Sequence, residues 1–75
     1  MITIEQIKTT ISDNVPDVNL DEISLDAKLR DEEIDSLDFF NIVIDCQAIT
    51  GFEVPDEDIE KLDTINNILK YFQDK

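Results

Sequence analysis

Few side chains in this sequence could do chemistry. There is no histidine, and Cys46 is the single cysteine. A Ser-His-Asp triad, a histidine-based metal site and a zinc site built from thiolates are therefore excluded. Carboxylates are abundant, yet they do not spell a calcium loop. Starting one at Asp31 puts Ser36 where the loop needs glycine and Ile42 where it needs a bidentate glutamate, and starting at Asp56 fails in the same way. Paired carboxylates do acid–base work only in a cleft that raises one of their pKa values. A chain of 75 residues has little room for such a cleft. No catalytic residue and no metal ligand is expected, and the protein is not read as an enzyme.

What remains is Ser36, in the run Glu33-Ile34-Asp35-Ser36-Leu37-Asp38-Phe39-Phe40. A serine where a helix begins is most often an N-cap, whose replacement by alanine costs about 1 kcal/mol. The position also permits a second role. A phosphodiester on a first-turn serine would face free backbone N–H groups and the positive end of the helix dipole. Leu37, Phe40 and Ile44 would then form an apolar track beside whatever is attached. Asp35-Ser36-Leu37-Asp38 alone does not separate the two roles.

The elements that must position this serine are helical. One glycine and two prolines supply few tight-turn signals for hairpins, and the isoleucines recur at helical spacing. A first helix is expected over 2–15, with Thr3 as cap, Gln6 completing a capping box, and Ile2 with Ile7 as hydrophobic staple. Ile4, Ile7, Ile11 and Val15 share one face, and Asn14 and Pro16 mark the end. From 16 to 34 no single period fits Val18, Leu20, Ile23, Leu25 and Leu29. So long a connection reads as an ordered loop pinned by these side chains, with a helical turn around 25–29. Its two cations, Lys28 and Arg30, are expected to pair with neighbouring carboxylates.

The second helix is expected over 36–50. Asp35 or Ser36 can cap it, Asp38 suits its first turn, and Gly51 stops it. It is apolar nearly all round. Phe39, Ile42, Val43, Cys46 and Ile49 form one stripe, and Leu37, Phe40 and Ile44 a second. A small domain has difficulty burying both, so the second stripe is read as a partner face. Cys46 is read as a buried structural thiol. A short third helix follows over 56–61, carrying Ile59 and followed by Leu62. A fourth starts after Thr64, with Ile65, Ile68, Leu69 and Phe72 inward and Lys70 and Lys75 toward its C-terminal end. The expected fold is all-α: a small four-helix bundle of three longer helices and one short one, with a long first loop, forming one domain over 1–75.

Net charge is −13, from 19 acidic and 6 basic residues. Between Asp31 and Glu60 every charged side chain is a carboxylate. Such a surface repels nucleic acid and anionic lipid, and steers toward basic patches on other proteins. The N-terminus lacks a basic region followed by an apolar core, and no stretch reaches the length of a membrane span. A cytoplasmic monomer is expected.

Motif, spacing and length together resemble the acyl carrier protein family, and the resemblance covers essentially the whole chain. It rests on Asp35-Ser36-Leu37 followed by Asp38 at the start of the second of four helices. It rests also on Gly51-Phe52-Glu53-Val54-Pro55-Asp56-Glu57-Asp58 and on the closing Thr64-Ile65 helix. The resemblance implies that Ser36 receives 4′-phosphopantetheine from coenzyme A through a separate transferase. The terminal thiol of that arm would carry an acyl group as a thioester, delivered between enzymes of fatty-acid or polyketide-type synthesis. It further implies that Asp35, Leu37, Asp38, Phe40, Asn41, Ile44 and Asp45 form the face read by basic patches on the transferase, on loading ligases and on acyl-processing enzymes.

Some positions depart from the family pattern. Glu32-Glu33 replaces a common Leu-Gly, and Asn41, Gln47 and Ala48 stand where the second helix usually has acids. Thr50 replaces an aromatic, with Ile49 and Phe52 expected to fill its space, and Phe39 and Phe40 are bulkier than usual. These departures leave open whether the partners belong to housekeeping fatty-acid synthesis or to a dedicated pathway. Two other readings compete: an aminoacyl, peptidyl or D-alanyl carrier with the same serine chemistry, and an unmodified acidic module that binds a basic partner.

Overall fold

The computed structural model describes residues 2–32 and 34–74. Among them there are four α-helices and no strand: α1 Ile4–Asn14, α2 Ser36–Thr50, α3 Asp56–Ile59 and α4 Ile65–Gln73. The expected all-α bundle of three longer helices and one short helix is present. Glu33 and Lys75, singled out above, lie outside the described residues.

Helix α1 begins where its capping box dictates. The Gln6 N–H donates to Thr3 Oγ1 (3.1 Å), and the Thr3 N–H donates to Gln6 Oε1 (2.9 Å). The helix is thus shorter than the expected 2–15. Ile2 precedes the cap but is buried in the core with Ile7, as a staple requires, and Val15 ends the helix through its N–H to the Ile11 carbonyl. Helix α2 has the expected bounds. Gly51 stops it with φ of 74°, a left-handed conformation that costs glycine little. In α4, Thr64 Oγ1 accepts the Asn67 N–H (3.0 Å), and Ile65, Ile68 and Phe72 turn inward while Leu69 is half-buried.

The core is a single cluster fed by α1, α2 and α4 together with Ile23, Leu29, Ile34, Val54 and Leu62 from the connections. Removing most of the side chain of a fully buried member such as Ile42 should cost about 2–5 kcal/mol. Three of those anchors, Ile23, Leu29 and Ile34, order the first loop. Polar contacts with the start of α4 reinforce it: the Leu29 N–H donates to the Asp63 carbonyl (2.9 Å), the Asn66 N–H to the Leu25 carbonyl (3.0 Å), and Asn66 Nδ2 to Asp26 Oδ1 (2.7 Å).

Four expectations need correction. The loop has no helical turn over 25–29. Leu25 and Asp26 form a tight turn closed by the Ala27 N–H to the Ser24 carbonyl, and the 3₁₀ turns are Leu20–Glu22 and Leu29–Asp31. The helical pattern fails there because Asn66 of α4 takes the Leu25 carbonyl and the Asp63 carbonyl, just ahead of that helix's cap, takes the Leu29 N–H. Lys28 and Arg30 make no ion pair among the described residues, where the bridge is Lys61 to Asp58 (3.0 Å). Helix α3 ends at Ile59, before Lys61. Ile49, assigned to the buried stripe, is 43% exposed. Opposite it α1 presents Thr9, Thr10 and Asp13, and these line a groove of about 460 Å³ instead of a covering apolar side chain. Phe52 meets Tyr71 and Phe72 edge to face (centroids 5.9 and 6.5 Å), and Ile49 lines a groove with it beside Thr50.

Candidate functional site

Two core side chains bracket the start of α2. Ile34 is buried before it and Phe39 after it, so the backbone between them is held at the surface from both sides. Asp35 is extended (φ −76°, ψ 174°) and its Oδ1 accepts the Asp38 N–H at 2.8 Å. The Phe39 N–H donates to the Asp35 carbonyl at 2.9 Å. Asp35 is therefore the N-cap and Ser36 the first helical residue. Of the two cap candidates, the serine is released from the structural duty that most serines at helix starts perform. Ser36 is exposed, and among the described residues no hydrogen bond uses its hydroxyl.

The electrostatics at this point favour an added anion. The N–H groups of Ser36 and Leu37 lie ahead of the first intrahelical bond, and the helix dipole is positive here. A phosphodiester on Ser36 would occupy open space beside these donors, so the residues present fit a phosphopantetheine group. Among the described residues no three His, Cys, Asp or Glu side chains converge as ligands.

The partner-face residues named from sequence fall on the outer side of α2. Leu37 is 68% exposed, Phe40 43% and Ile44 41%, large values for apolar side chains. Asp35, Asn41 and Asp45 are exposed with them, and Asp38 is half-buried. At 1.5 Å of rise per residue, Phe40 stands about 6 Å and Ile44 about 12 Å along the helix from Ser36. Asp45 differs from its neighbours, since its Oδ2 accepts a hydrogen bond from Asn14 Nδ2 of α1 at 2.8 Å. It holds α1 to α2 as well as contributing charge.

Other features were not anticipated. Gln47 Oε1 accepts the Val54 N–H at 2.6 Å, tying α2 to the connector ahead of α3. A groove of about 320 Å³ opens between them, lined by Phe40, Val43, Ile44 and Gln47 on one side and Val54 and Ile59 on the other. Nothing local in the sequence announces either, because both depend on how the connector folds back. Cys46 is buried as expected. Burial, and then the charge of Asp45, push its thiol up to about 12, so it stays protonated and unreactive near neutral pH. No described helix is long and apolar enough to cross a membrane.

Comparison with known proteins bears on the same region. A family model described as the phosphopantetheine attachment site matches residues 5–72. An acyl carrier protein of Lactobacillus johnsonii is 32% identical over 76 residues, covering 96% of this chain and 95% of that protein.

Proposed function

The chain belongs to the acyl carrier family of phosphopantetheine-attachment proteins, and from that premise we propose that Ser36 is the attachment residue of a monomeric carrier domain spanning 1–75. As a member of this family it is a carrier and not a catalyst. Its partners are a phosphopantetheinyl transferase and acyl-processing enzymes. The observation that carries the Ser36 assignment is that Asp35, not Ser36, caps α2, which leaves an exposed hydroxyl at the first helical position.

When bound, the arm supplies a terminal thiol on which an acyl group travels as a thioester. The chain's own residues present it. The Ser36 and Leu37 N–H groups favour the phosphate, and Leu37, Phe40 and Ile44 offer apolar surface alongside. Asp35, Asp38 and Asp45, with Asn41 between them, present the acidic face to basic partners. We assign the cargo to fatty-acyl or polyketide-type chains, which suit the apolar track, and the protein to the cytoplasm. Repulsion between copies of net charge −13 favours the monomer.

Intact mass after incubation with coenzyme A and a broad-specificity transferase tests the assignment. One phosphopantetheine should add to the parent and none to Ser36→Ala. A gain that survives the substitution, or no gain on the folded parent, overturns it. Mass spectrometry of the protein from its host identifies the cargo, and an aminoacyl group there would replace the acyl assignment.

A further inference from the structure

The side of α2 that meets α1 carries an open surface of its own. Ile49 follows Phe40 by about two and a half helical turns, so it stands on the opposite side of the helix from Phe40. Beside it lies the groove of about 460 Å³, lined by Thr9, Thr10 and Asp13 of α1 and by Asp45, Ala48 and Ile49 of α2. The charged side chains on it are both carboxylates. Ala48 and Ile49, both exposed, supply an apolar lining.

Two polar groups on this groove are set to accept. Asn14 Nδ2 donates to the Thr10 carbonyl at 2.9 Å and to Asp45 Oδ2 at 2.8 Å. The Asp45 carboxylate is thus held in place, while its Oδ1 makes no hydrogen bond among the described residues. Thr10 is an independent sign of a ligand. It is only 5% exposed, yet its hydroxyl makes no hydrogen bond among the described residues. A buried hydroxyl without a partner costs stability. Among the described residues no fully shielded side-chain nitrogen or oxygen lacks a partner, so the Thr10 hydroxyl reaches the groove that it lines.

Two unused acceptors beside an apolar lining fit a long cationic side chain. Lysine and arginine lay an aliphatic stem along apolar surface and keep a charged head at polar groups, and that head carries donors and no acceptor. We propose that the α1–α2 groove is a docking site for a lysine or arginine side chain of a partner protein. Its stem lies on Ala48 and Ile49, its head donates to Asp45 Oδ1 and the Thr10 hydroxyl, and Asp13 adds charge. A second copy of net charge −13 is disfavoured there by repulsion. Asp45 belongs both to this groove and to the outer side of α2, so a partner on that face reaches the groove in the same encounter. Helix α1 is thereby part of the surface that partners read, a consequence that rests on the carrier reading of the chain.

Backbone NMR shifts of the full, unmodified chain, titrated with N-acetylarginine amide, test this. N-acetylcitrulline amide is the neutral control of the same shape. The arginine derivative should give saturable shifts concentrated on Thr10, Asp13, Asp45, Ala48 and Ile49, and the citrulline derivative none. Thr10→Val and Asp45→Asn should each weaken binding about fivefold, equivalent to about 1 kcal/mol. Asp45→Asn keeps an oxygen toward Asn14, so it preserves the contact between helices should Thr10→Val disturb α1. No response, or shifts spread over all the carboxylates, would mean that the chain only attracts cations in general. Equal affinity of the parent and both variants would place binding elsewhere, and tighter binding of spermidine at the same residues would give the groove to a free polyamine. Each of these overturns the proposal. Because the chain carries no arm in this experiment, the result stands apart from whether Ser36 is modified.

Discussion

The division of labour between Asp35 and Ser36 can be separated by substituting each alone. Asp35 Oδ1 holds the Asp38 N–H at 2.8 Å, a full capping bond, and loss of such a cap costs about 1 kcal/mol. For a domain of this size that corresponds to a fall in Tm of about 4–8 °C. Asp35→Asn keeps the accepting oxygen and should lose much less. Ser36→Ala removes a hydroxyl that makes no hydrogen bond among the described residues. Alanine is moreover the better helix former, so its effect should stay within about 0.5 kcal/mol. Thermal melting by circular dichroism on the three variants reads the difference, and transferase labelling on the same samples reads modification. Ser36→Ala should melt like the parent and take no label. If it melts as low as Asp35→Ala, the serine is the cap after all, and the argument that its hydroxyl is free for attachment fails.

Other predictions rest on charge. Tyr71 is the only tyrosine and there is no tryptophan, so absorbance at the tyrosinate band follows one group. Burial, then the hydrogen bond to Asp58 and its charge, raise the phenol from 10.0 to about 12. The stabilisation this represents is complete below about pH 10 and is lost as pH rises toward 12; Asp58→Asn should move the titration back toward 10, and an unmoved midpoint would contradict the pairing. Added salt should raise Tm, because it screens repulsion within a chain of net charge −13; insensitivity of melting to ionic strength would remove self-repulsion from the account. Asp38→Asn with Asp45→Asn, which keeps an amide oxygen to accept from Asn14 Nδ2, should slow transferase labelling several-fold at low salt and less at high salt, with Tm little changed. Equal losses of fold and labelling would make these carboxylates structural.

Much of this architecture is legible in the sequence because local chemistry and periodicity coincide. Thr3 with Gln6, Thr64 ahead of α4, and Gly51 after α2 are end signals that need no tertiary context, and each element starts or stops there. The failures lie where a distant partner decides. Leu25 and Leu29 look helical until Asn66 of α4 and Asp63 ahead of it claim their backbone groups. Ile49 sits at the edge of the inward stripe, and its exposure depends on small and polar residues of α1 that helical spacing on α2 cannot reveal. The same limit hid the Gln47–Val54 tie and the Tyr71–Asp58 hydrogen bond, which join residues seven and thirteen positions apart. At the site, sequence left Asp35 and Ser36 as equal cap candidates, and only geometry separated them.

The features that cost this chain stability are those a carrier needs. Leu37, Phe40 and Ile44 leave apolar surface in water on the outer side of α2, although each could have been polar without disturbing the core stripe. The carboxylates around them repel one another. Together they limit self-association, since like-charged faces avoid each other, while a basic partner with an apolar centre relieves both penalties on docking. Helix α3, on the neighbouring side, buries no residue and is held by the polar contacts of Asp58 with Tyr71 and Lys61. The rigid part of the molecule is then the part that fixes Ser36, bracketed by Ile34 and Phe39. The apolar face of Leu37, Phe40 and Ile44 lies exposed beside it.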